Sequence, residues 1–303
     1  MNSLKPGIKS VLWSAAALLL MLSLLLPGIN LLTILLMIVP FAVLYASLSA
    51  KAFALHVIPV LAVALVLLGT PALMLAIFFL IPAIVMGHLY RKRAPASKVL
   101  VTGTVAVLAV SILMLVGFQV VFGVSLIGEM GEMIRTTVAD LHAQRLLPEQ
   151  WDDELTDYFV QMTINSIPLT LMIGSFVYAV VTHYLTRRAL IRSGFDIPGA
   201  APAREWKLPR IMVVYYLIAY VLQLFVSGDS TNFIAVALLN LVPLLRFAFS
   251  VQAIGFMFFL AHQRGWNRAV PVILSIIVLL FPPLSLLGVL DAAFPIRKSI
   301  TKR

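Results

Sequence analysis

The chain has 303 residues, of which 62% are hydrophobic and 11% are charged, and its formal net charge is +10 at pH 7. A soluble domain has about 45–50% apolar and about 25% charged residues, so this composition excludes a soluble enzyme, a disordered chain and a nucleic-acid-binding domain. The chain has no cysteine, which excludes disulfides, thiolate metal sites and a cysteine nucleophile.

Nine apolar runs follow one another along the sequence. They cover residues 8–26, 29–49, 52–69, 71–90, 98–122, 165–186, 209–226, 233–262 and 269–290. A helix needs about 20 residues to cross a bilayer, and an isolated apolar span of that length is a helix because its backbone must satisfy its own hydrogen bonds. The sequence therefore predicts an all-α fold, a polytopic transmembrane helical bundle of eight or nine spans, with residues 1–303 forming a single integral membrane domain.

The last run leaves the number of spans open, because Pro282-Pro283 interrupts it. One alternative is a kinked ninth helix, which puts the basic tail outside the cell. The other is a re-entrant hairpin, which returns the tail to the inside. Neither half of the run is long enough to span a bilayer alone.

Lysine and arginine collect in the links that fall on one side of the bundle if every run crosses once. These links are the N-terminus, 91–98, 187–210 and 263–268. The positive-inside rule makes that side the cytoplasm, so the sequence predicts a bacterial cytoplasmic membrane protein with a cytoplasmic N-terminus. The same rule accounts for the positive net charge. We therefore expect the lipid bilayer, and no nucleic acid, as the partner of the chain.

The link 123–164 differs from the rest, with a net charge of −6 against +16 for the remainder of the chain. Apolar residues from Leu126 to Leu141 recur at three- and four-residue spacing, which predicts an amphipathic helix, and Pro148 reads as the start of a second one. We therefore expect an extracytoplasmic helical hairpin over 123–164. Two interpretations stay open for it: a solvated cap, or a lid or partner-docking element.

One charged and four amide side chains inside the predicted spans are candidates for a polar site. Arg246 is the one charge well within a run, and a charge at that depth is costly, which makes it a candidate for binding a small anionic solute. The alternatives are a bond to helix carbonyls or snorkelling to the interface. The amides of Asn240, Gln252, Gln119 and Gln223 either line a polar pocket or bond between helices.

Ala42, Ala46 and Ala50 recur every four residues and form a small-residue face. This face is a candidate docking stripe for another membrane subunit, with internal helix packing as the alternative.

No catalytic signature such as HExxH, a P-loop or GxSxG occurs, so we expect no enzyme activity and no cofactor. His88, His183 and His262 each precede a basic cluster and are interpreted as interfacial anchors rather than metal ligands.

Three stretches in a fixed order carry a family resemblance. They contain Arg187-Arg188 with Trp206-Lys207-Leu208-Pro209, then Leu239-Asn240-Leu241 with Gly255, then Leu287-Gly288-Val289-Leu290-Asp291 with Arg297-Lys298. With the long link before a proline-bearing span, they make nearly the whole chain resemble the YybS family of uncharacterised bacterial integral membrane proteins.

That family is similar to the substrate-binding (S) components of energy-coupling factor transporters. The resemblance implies a bundle that captures a small solute and works with an ATPase module and other membrane subunits. A non-transporting scaffold or regulatory subunit of a membrane complex is the alternative.

Overall fold

The computed structural model describes residues 7–26, 28–148, 150–226 and 232–301, and no strand occurs among them. Residue 149 of the predicted hairpin and the last two basic residues of the tail lie outside this range. The predicted all-α fold is confirmed. The helices are α1 (Ile8–Ser23), α2 (Asn30–Ser47), α3 (Ala50–Leu68), α4 (Pro71–Arg91), α5 (Ala96–Phe122), α6 (Leu126–Ala143), α7 (Asp153–Asn165), α8 (Ile167–Arg192), α9 (Ile211–Phe225), α10 (Phe233–Gln263), α11 (Ala269–Leu280), α12 (Ser285–Ala293) and α13 (Ile296–Thr301).

Each of the nine predicted apolar runs contains a helix. Within the described residues, five helices are long and apolar enough to cross a membrane, namely α3, α4, α5, α8 and α10, and α11 with α12 makes a sixth if the bent pair is one span. Three further apolar helices, α1, α2 and α9, are shorter. The total of eight or nine spans stays a prediction.

The chain is divided into two compact units, although the hydropathy pattern by itself predicts a single domain. Unit 1 is formed by residues 1–129 and 171–200, and unit 2 by residues 130–170 and 201–303. Helix α8 passes from one to the other within its first turns, so each unit is built from chain segments that are distant in sequence.

Unit 1 is organised around α2, which packs against α1 and α4, while α5 packs against α4. The core includes Phe41, Phe79 and Met37, all essentially inaccessible. Arg91 holds the end of α2: its Nε donates to the carbonyl of Tyr45 at 2.7 Å, and its Nη2 donates to the carbonyls of Tyr45 and Leu48. A cation is thus bound where the helix leaves its last carbonyls unpaired.

Unit 2 is organised around α10, with α9, α11 and α12 packed against it. Tyr216, Leu245 and Phe249 are at the centre of its core. Gly288 allows α12 to lie directly on α10, because a Cβ at this position would overlap the carbonyl oxygen of Phe249 and come within 2.9 Å of the amide of Ala253.

The bent pair of α11 and α12 at the end of unit 2 resembles the re-entrant hairpin, one of the two alternatives for the last apolar run. The axes of α11 and α12 differ by 115°, and the break coincides with Pro282, which cannot continue a helix. Helix α11 starts beside the C-terminal end of α10. Helix α12 and the tail then run in the same direction as α10, because Gly288 lies against Phe249 and Arg297 lies 5.2 Å from the ring of Phe259. The chain therefore leaves and returns at one end of α10.

The predicted hairpin is present as α6 and α7. The second helix begins at Asp153, later than Pro148, because Asp152 caps it by accepting a hydrogen bond from the amide of Leu155 at 2.8 Å. Helices α6 and α7 approach closely at Gly131, because a Cβ added to this residue would lie 3.5 Å from the side chain of Val160.

Candidate functional site

Asn240 joins α10 to the junction between α7 and α8. Its Oδ1 accepts a hydrogen bond from the amide of Leu169 at 2.8 Å, and its Nδ2 donates to the carbonyls of Asn165 and Val236, both at 2.8 Å. Helix α7 ends and α8 begins here, so the amide satisfies backbone groups that a helix break leaves unpaired. Of the two predicted roles, the geometry corresponds to bonding between helices.

Gln252 has the same kind of role deeper in unit 2. Its side chain is 1% exposed, its Oε1 accepts from the amide of Leu208 at 2.8 Å, and its Nε2 donates to Oδ2 of Asp291 at 2.5 Å. Asp291 is fully buried. The amide therefore connects α10 both to the segment before α9 and to α12.

Arg297 completes this cluster by pairing with the buried carboxylate. Its Nη2 lies 2.6 Å from Oδ2 of Asp291, its Nη1 donates to the carbonyl of Arg204 at 2.6 Å, and its Nη2 donates to the carbonyl of Trp206 at 2.9 Å. Both oxygens of Asp291 are satisfied, as a buried charge requires. We call Gln252, Asp291 and Arg297 the tail cluster, and its full pairing is typical of a structural element.

Arg246 differs from the tail cluster because its guanidinium makes no hydrogen bond or ion pair with any residue that the structure describes. It is partly buried, and only its carbonyl is engaged, accepting from Oγ of Ser250 at 3.1 Å. It lies on α10 about 20 Å from the helix start, given a rise of about 1.5 Å per residue. Neither Asn240 nor Gln252 bonds to it, so the structure does not join these three predicted residues into one site.

The remaining predicted residues are dispersed. Gln119 and Gln223 are exposed on the outer surfaces of α5 and α9. Ala42 and Ala46 are buried in unit 1, whereas Ala50 is exposed and belongs to the next helix, α3. Because α2 ends at Ser47, the three alanines do not share one helix face, which corrects the continuous stripe expected from their spacing.

Unit 1 contains buried polar atoms without partners. The atoms are Oγ of Ser47, Oγ1 of Thr182, Nε2 of His183 and Oγ1 of Thr186, in side chains that are at most 5% exposed. The other ring nitrogen of His183 is hydrogen bonded to the hydroxyl of Tyr90, at 3.1 Å. Native proteins pair nearly all buried polar atoms, so these atoms are candidates for hydrogen bonds to water, an ion or a ligand.

An open cleft of about 620 Å³ lies between α6 and α7. Its lining includes Trp151, Asp152, Asp153 and His142. Arg135 and Asp157 also line it and form a 2.9 Å ion pair. The hydrogen bond to Asp157 raises the pKa of Arg135 above its ordinary value. The described residues contain no group of three or more histidines and carboxylates that could hold a metal ion.

A family of predicted membrane proteins, DUF2232, matches residues 14–292 of the chain. The chain belongs to this family. The resemblance to YybS-like proteins is confirmed by the uncharacterized protein YybS of Bacillus subtilis (strain 168), which is 25% identical over 226 residues, or 72% of each chain. No solved structure matches.

Sequence reasoning in this DUF2232 chain found Gln252 but missed its association with Asp291 and Arg297 in the tail cluster. Asp291 and Arg297 are six positions apart, which is not a helical neighbour spacing, and hydropathy does not connect α12 to the segment before α9. The signal in the sequence was a carboxylate directly after an apolar run, followed six residues later by an arginine. The unpaired hydroxyls of α8 were also missed, because threonine is compatible with an apolar span.

Proposed function

We propose that this membrane protein is a non-enzymatic binding or transport subunit for a small anionic solute, similar to an S component of an energy-coupling factor transporter. The observation that carries the proposal is Arg246, a guanidinium midway along α10 with no partner among the described residues. An intramembrane charge is expensive and is normally paired, so its missing partner is expected to be an anion.

An anion suits Arg246 because guanidinium binds carboxylates and phosphates with two parallel hydrogen bonds. The resemblance to S components supports a captured solute and an ATPase module that drives its release. In this proposal the chain supplies recognition, and the energy comes from other subunits.

The test is to identify small molecules bound to the protein purified from its host in mild detergent. We expect an anionic compound to co-purify with the wild type and to be lost with Arg246→Gln. Arg268→Gln is the matched control, since it removes an exposed charge at the start of α11. Equal recovery of anions from Arg246→Gln and the wild type would contradict the proposal.

The proposed orientation places the basic helix ends in the cytoplasm of a bacterial cell. Because the chain has no cysteine, single cysteines can be introduced without removing any. We expect Ala201→Cys and Lys298→Cys to react with a membrane-impermeant maleimide only after the cytoplasmic side is exposed. A residue in the hairpin, such as Met133→Cys, should react in intact spheroplasts. Labelling of Lys298→Cys in intact spheroplasts would contradict the return of the tail.

A scaffold or regulatory subunit is the second candidate, and the surface of the α6–α7 hairpin favours it. Met133, Tyr158, Phe159 and Met162 are each at least 44% exposed on helices that are otherwise highly charged. Exposed apolar side chains of this size are typical of a contact with another protein or with lipid. Photo-cross-linking from Tyr158 separates the two candidates: a protein adduct with no solute at Arg246 favours the scaffold.

A further inference from the structure

One end of unit 1 is strongly basic. Helices α1, α3 and α5 begin there and α2, α4 and α8 end there, as the contacts of Arg91 with the end of α2 and of Tyr90 with α8 require. Nine described basic residues lie at these termini: Lys9, Lys51, Arg91, Lys92, Arg93, Lys98, Arg187, Arg188 and Arg192. Asp196 is the one described acid near them, and it is 3.7 Å from Arg93.

A small cavity opens at this basic end of unit 1. Its polar lining is formed by Lys9, Ser10, Trp13, Ser47 and Ser193, and its volume is about 10 Å³. This is room for about one water-sized group. Every polar side chain in the lining can donate a hydrogen bond, and no carboxylate is among them. The cavity therefore favours an electron-rich atom such as an oxygen of an anion.

Ser47 is the most informative residue of this cavity. Its side chain is 5% exposed, and its Oγ has no hydrogen-bond partner. A helical serine normally donates to the carbonyl four residues earlier, and here it does not. A buried hydroxyl without any partner is destabilising, so the position is explained if Ser47 donates to a bound group.

The first turn of α1 adds to the attraction for an anion. Lys9 and Ser10 belong to this turn, and the N-cap residue Gly7 offers no side chain to the free amides. The N-terminus of a helix carries a partial positive charge and presents unpaired N–H groups. Lys9 adds a full charge without an acidic partner among the described residues.

We propose that this cavity is a phosphate-binding site, in which one phosphate oxygen enters between Lys9 and Ser47. The cavity admits a single oxygen, so the rest of the phosphate group lies at its mouth among the basic residues. The phosphate belongs to an anionic lipid headgroup or to free phosphate, which share the same chemistry. The inference does not rest on Arg246, which lies in the other unit.

The test measures thermal unfolding of the detergent-purified protein with phosphatidylglycerol, with diacylglycerol, which has no phosphate, and with inorganic phosphate. A ligand that binds only the folded state raises the unfolding temperature with its concentration. Stabilisation by phosphatidylglycerol alone identifies a lipid headgroup as the source, and stabilisation by inorganic phosphate as well identifies the phosphate group itself. No stabilisation by either phosphate compound, or equal stabilisation by diacylglycerol, overturns the proposal.

Variants then locate the site. Lys9→Gln and Ser47→Ala should each weaken the apparent affinity about tenfold or more, the effect of losing one hydrogen bond to a charged group. Lys51→Gln and Ser97→Ala are the controls: both residues are exposed at the same end and neither lines the cavity, so the affinity should stay within about twofold. Equal losses for Lys9→Gln and Lys51→Gln would mean that only the general charge of this end attracts phosphate, and would overturn the site.

Without ligand, Ser47→Ala should be as stable as the wild type or more stable, because it removes an unpaired hydroxyl. This separates loss of binding from loss of folding. Destabilisation of the ligand-free variant would show that Ser47 has a partner within the protein, which also overturns the proposal.

Discussion

The two units differ in how completely their buried polar groups are paired. In unit 2, Gln252 and Asp291 are both buried and both fully hydrogen bonded. In unit 1, Ser47, Thr182 and Thr186 are equally buried and have hydroxyls without partners. A satisfied network fixes one structure, whereas unsatisfied atoms indicate a place where something else binds. Burial alone therefore does not distinguish a candidate binding site from a structural contact, whereas the pairing of the buried atoms does.

The largest expected effect is the loss of the buried carboxylate in unit 2. Asp291→Ala leaves Arg297 without its ion-pair partner, so we expect the free energy of unfolding in detergent to fall by about 3–5 kcal/mol. Asp196→Ala is the control, since that carboxylate is 86% exposed and its pair contributes about 0–1 kcal/mol. The double variant Asp291→Leu with Arg297→Met should recover most of the loss. Similar losses of unfolding free energy for Asp291→Ala and Asp196→Ala would contradict the stabilising role of the buried ion pair in unit 2.

The second prediction compares a polar-to-apolar substitution at a paired side chain in unit 2 with one at an unpaired side chain in unit 1. Gln252→Met leaves the amide of Leu208 unpaired and should destabilise by about 1–3 kcal/mol. Thr182→Val keeps the side-chain shape, removes an unpaired hydroxyl and should be neutral or stabilising by about 1 kcal/mol in ligand-free detergent.

Thr104→Val is the reference for the threonine change, because its hydroxyl donates to the carbonyl of Leu100 at 2.8 Å. It should cost about 0.5–1.5 kcal/mol. The free energies come from chemical unfolding of the three variants. If Thr182→Val were as destabilising as Thr104→Val, unit 1 would not differ from unit 2.

The last pair of substitutions tests how closely α12 packs on α10. Gly288→Ala places a Cβ against the carbonyl of Phe249 and should cost about 1–3 kcal/mol, since the α10 backbone cannot move aside freely. In unit 1, Gly117 of α5 has nothing within 4 Å, so Gly117→Ala should gain about 0.5–1 kcal/mol from helix propensity. Unfolding temperatures measured side by side decide this, and a harmless Gly288→Ala would mean that α12 is not fixed on α10.

The helices were predictable because bilayer-length apolar runs and their breaks are local properties of a sequence. The hairpin was predictable from its charge and amphipathic spacing, although its second helix starts at the Asp152 cap rather than at Pro148. The direction of the last segment was not predictable: Pro282 marks a break, but only packing such as that of Gly288 against Phe249 gives the direction in which the chain continues.

The candidate sites were less predictable than the fold. Arg246 was found because its charge contrasts with its surroundings, and its lack of a described partner keeps it a candidate. Asn240 and Gln252 are also polar residues inside an apolar run, but their side chains are hydrogen bonded within the protein. No local sequence pattern separates these two residues from Arg246. The unpaired hydroxyls of Thr182 and Thr186 give no signal at all, since pairing depends on neighbours that are distant in sequence.

The tail cluster also affects the order in which the chain can fold during synthesis. The carbonyls of Arg204 and Trp206 are hydrogen bonded to Arg297, and Gln252 is hydrogen bonded to Asp291, so these contacts are missing while the ribosome makes the intervening segment. At a synthesis rate of about 5–20 residues per second this interval lasts several seconds. A nascent chain stopped before residue 291 would have a complete α10 whose contact surface for α12 is still uncovered.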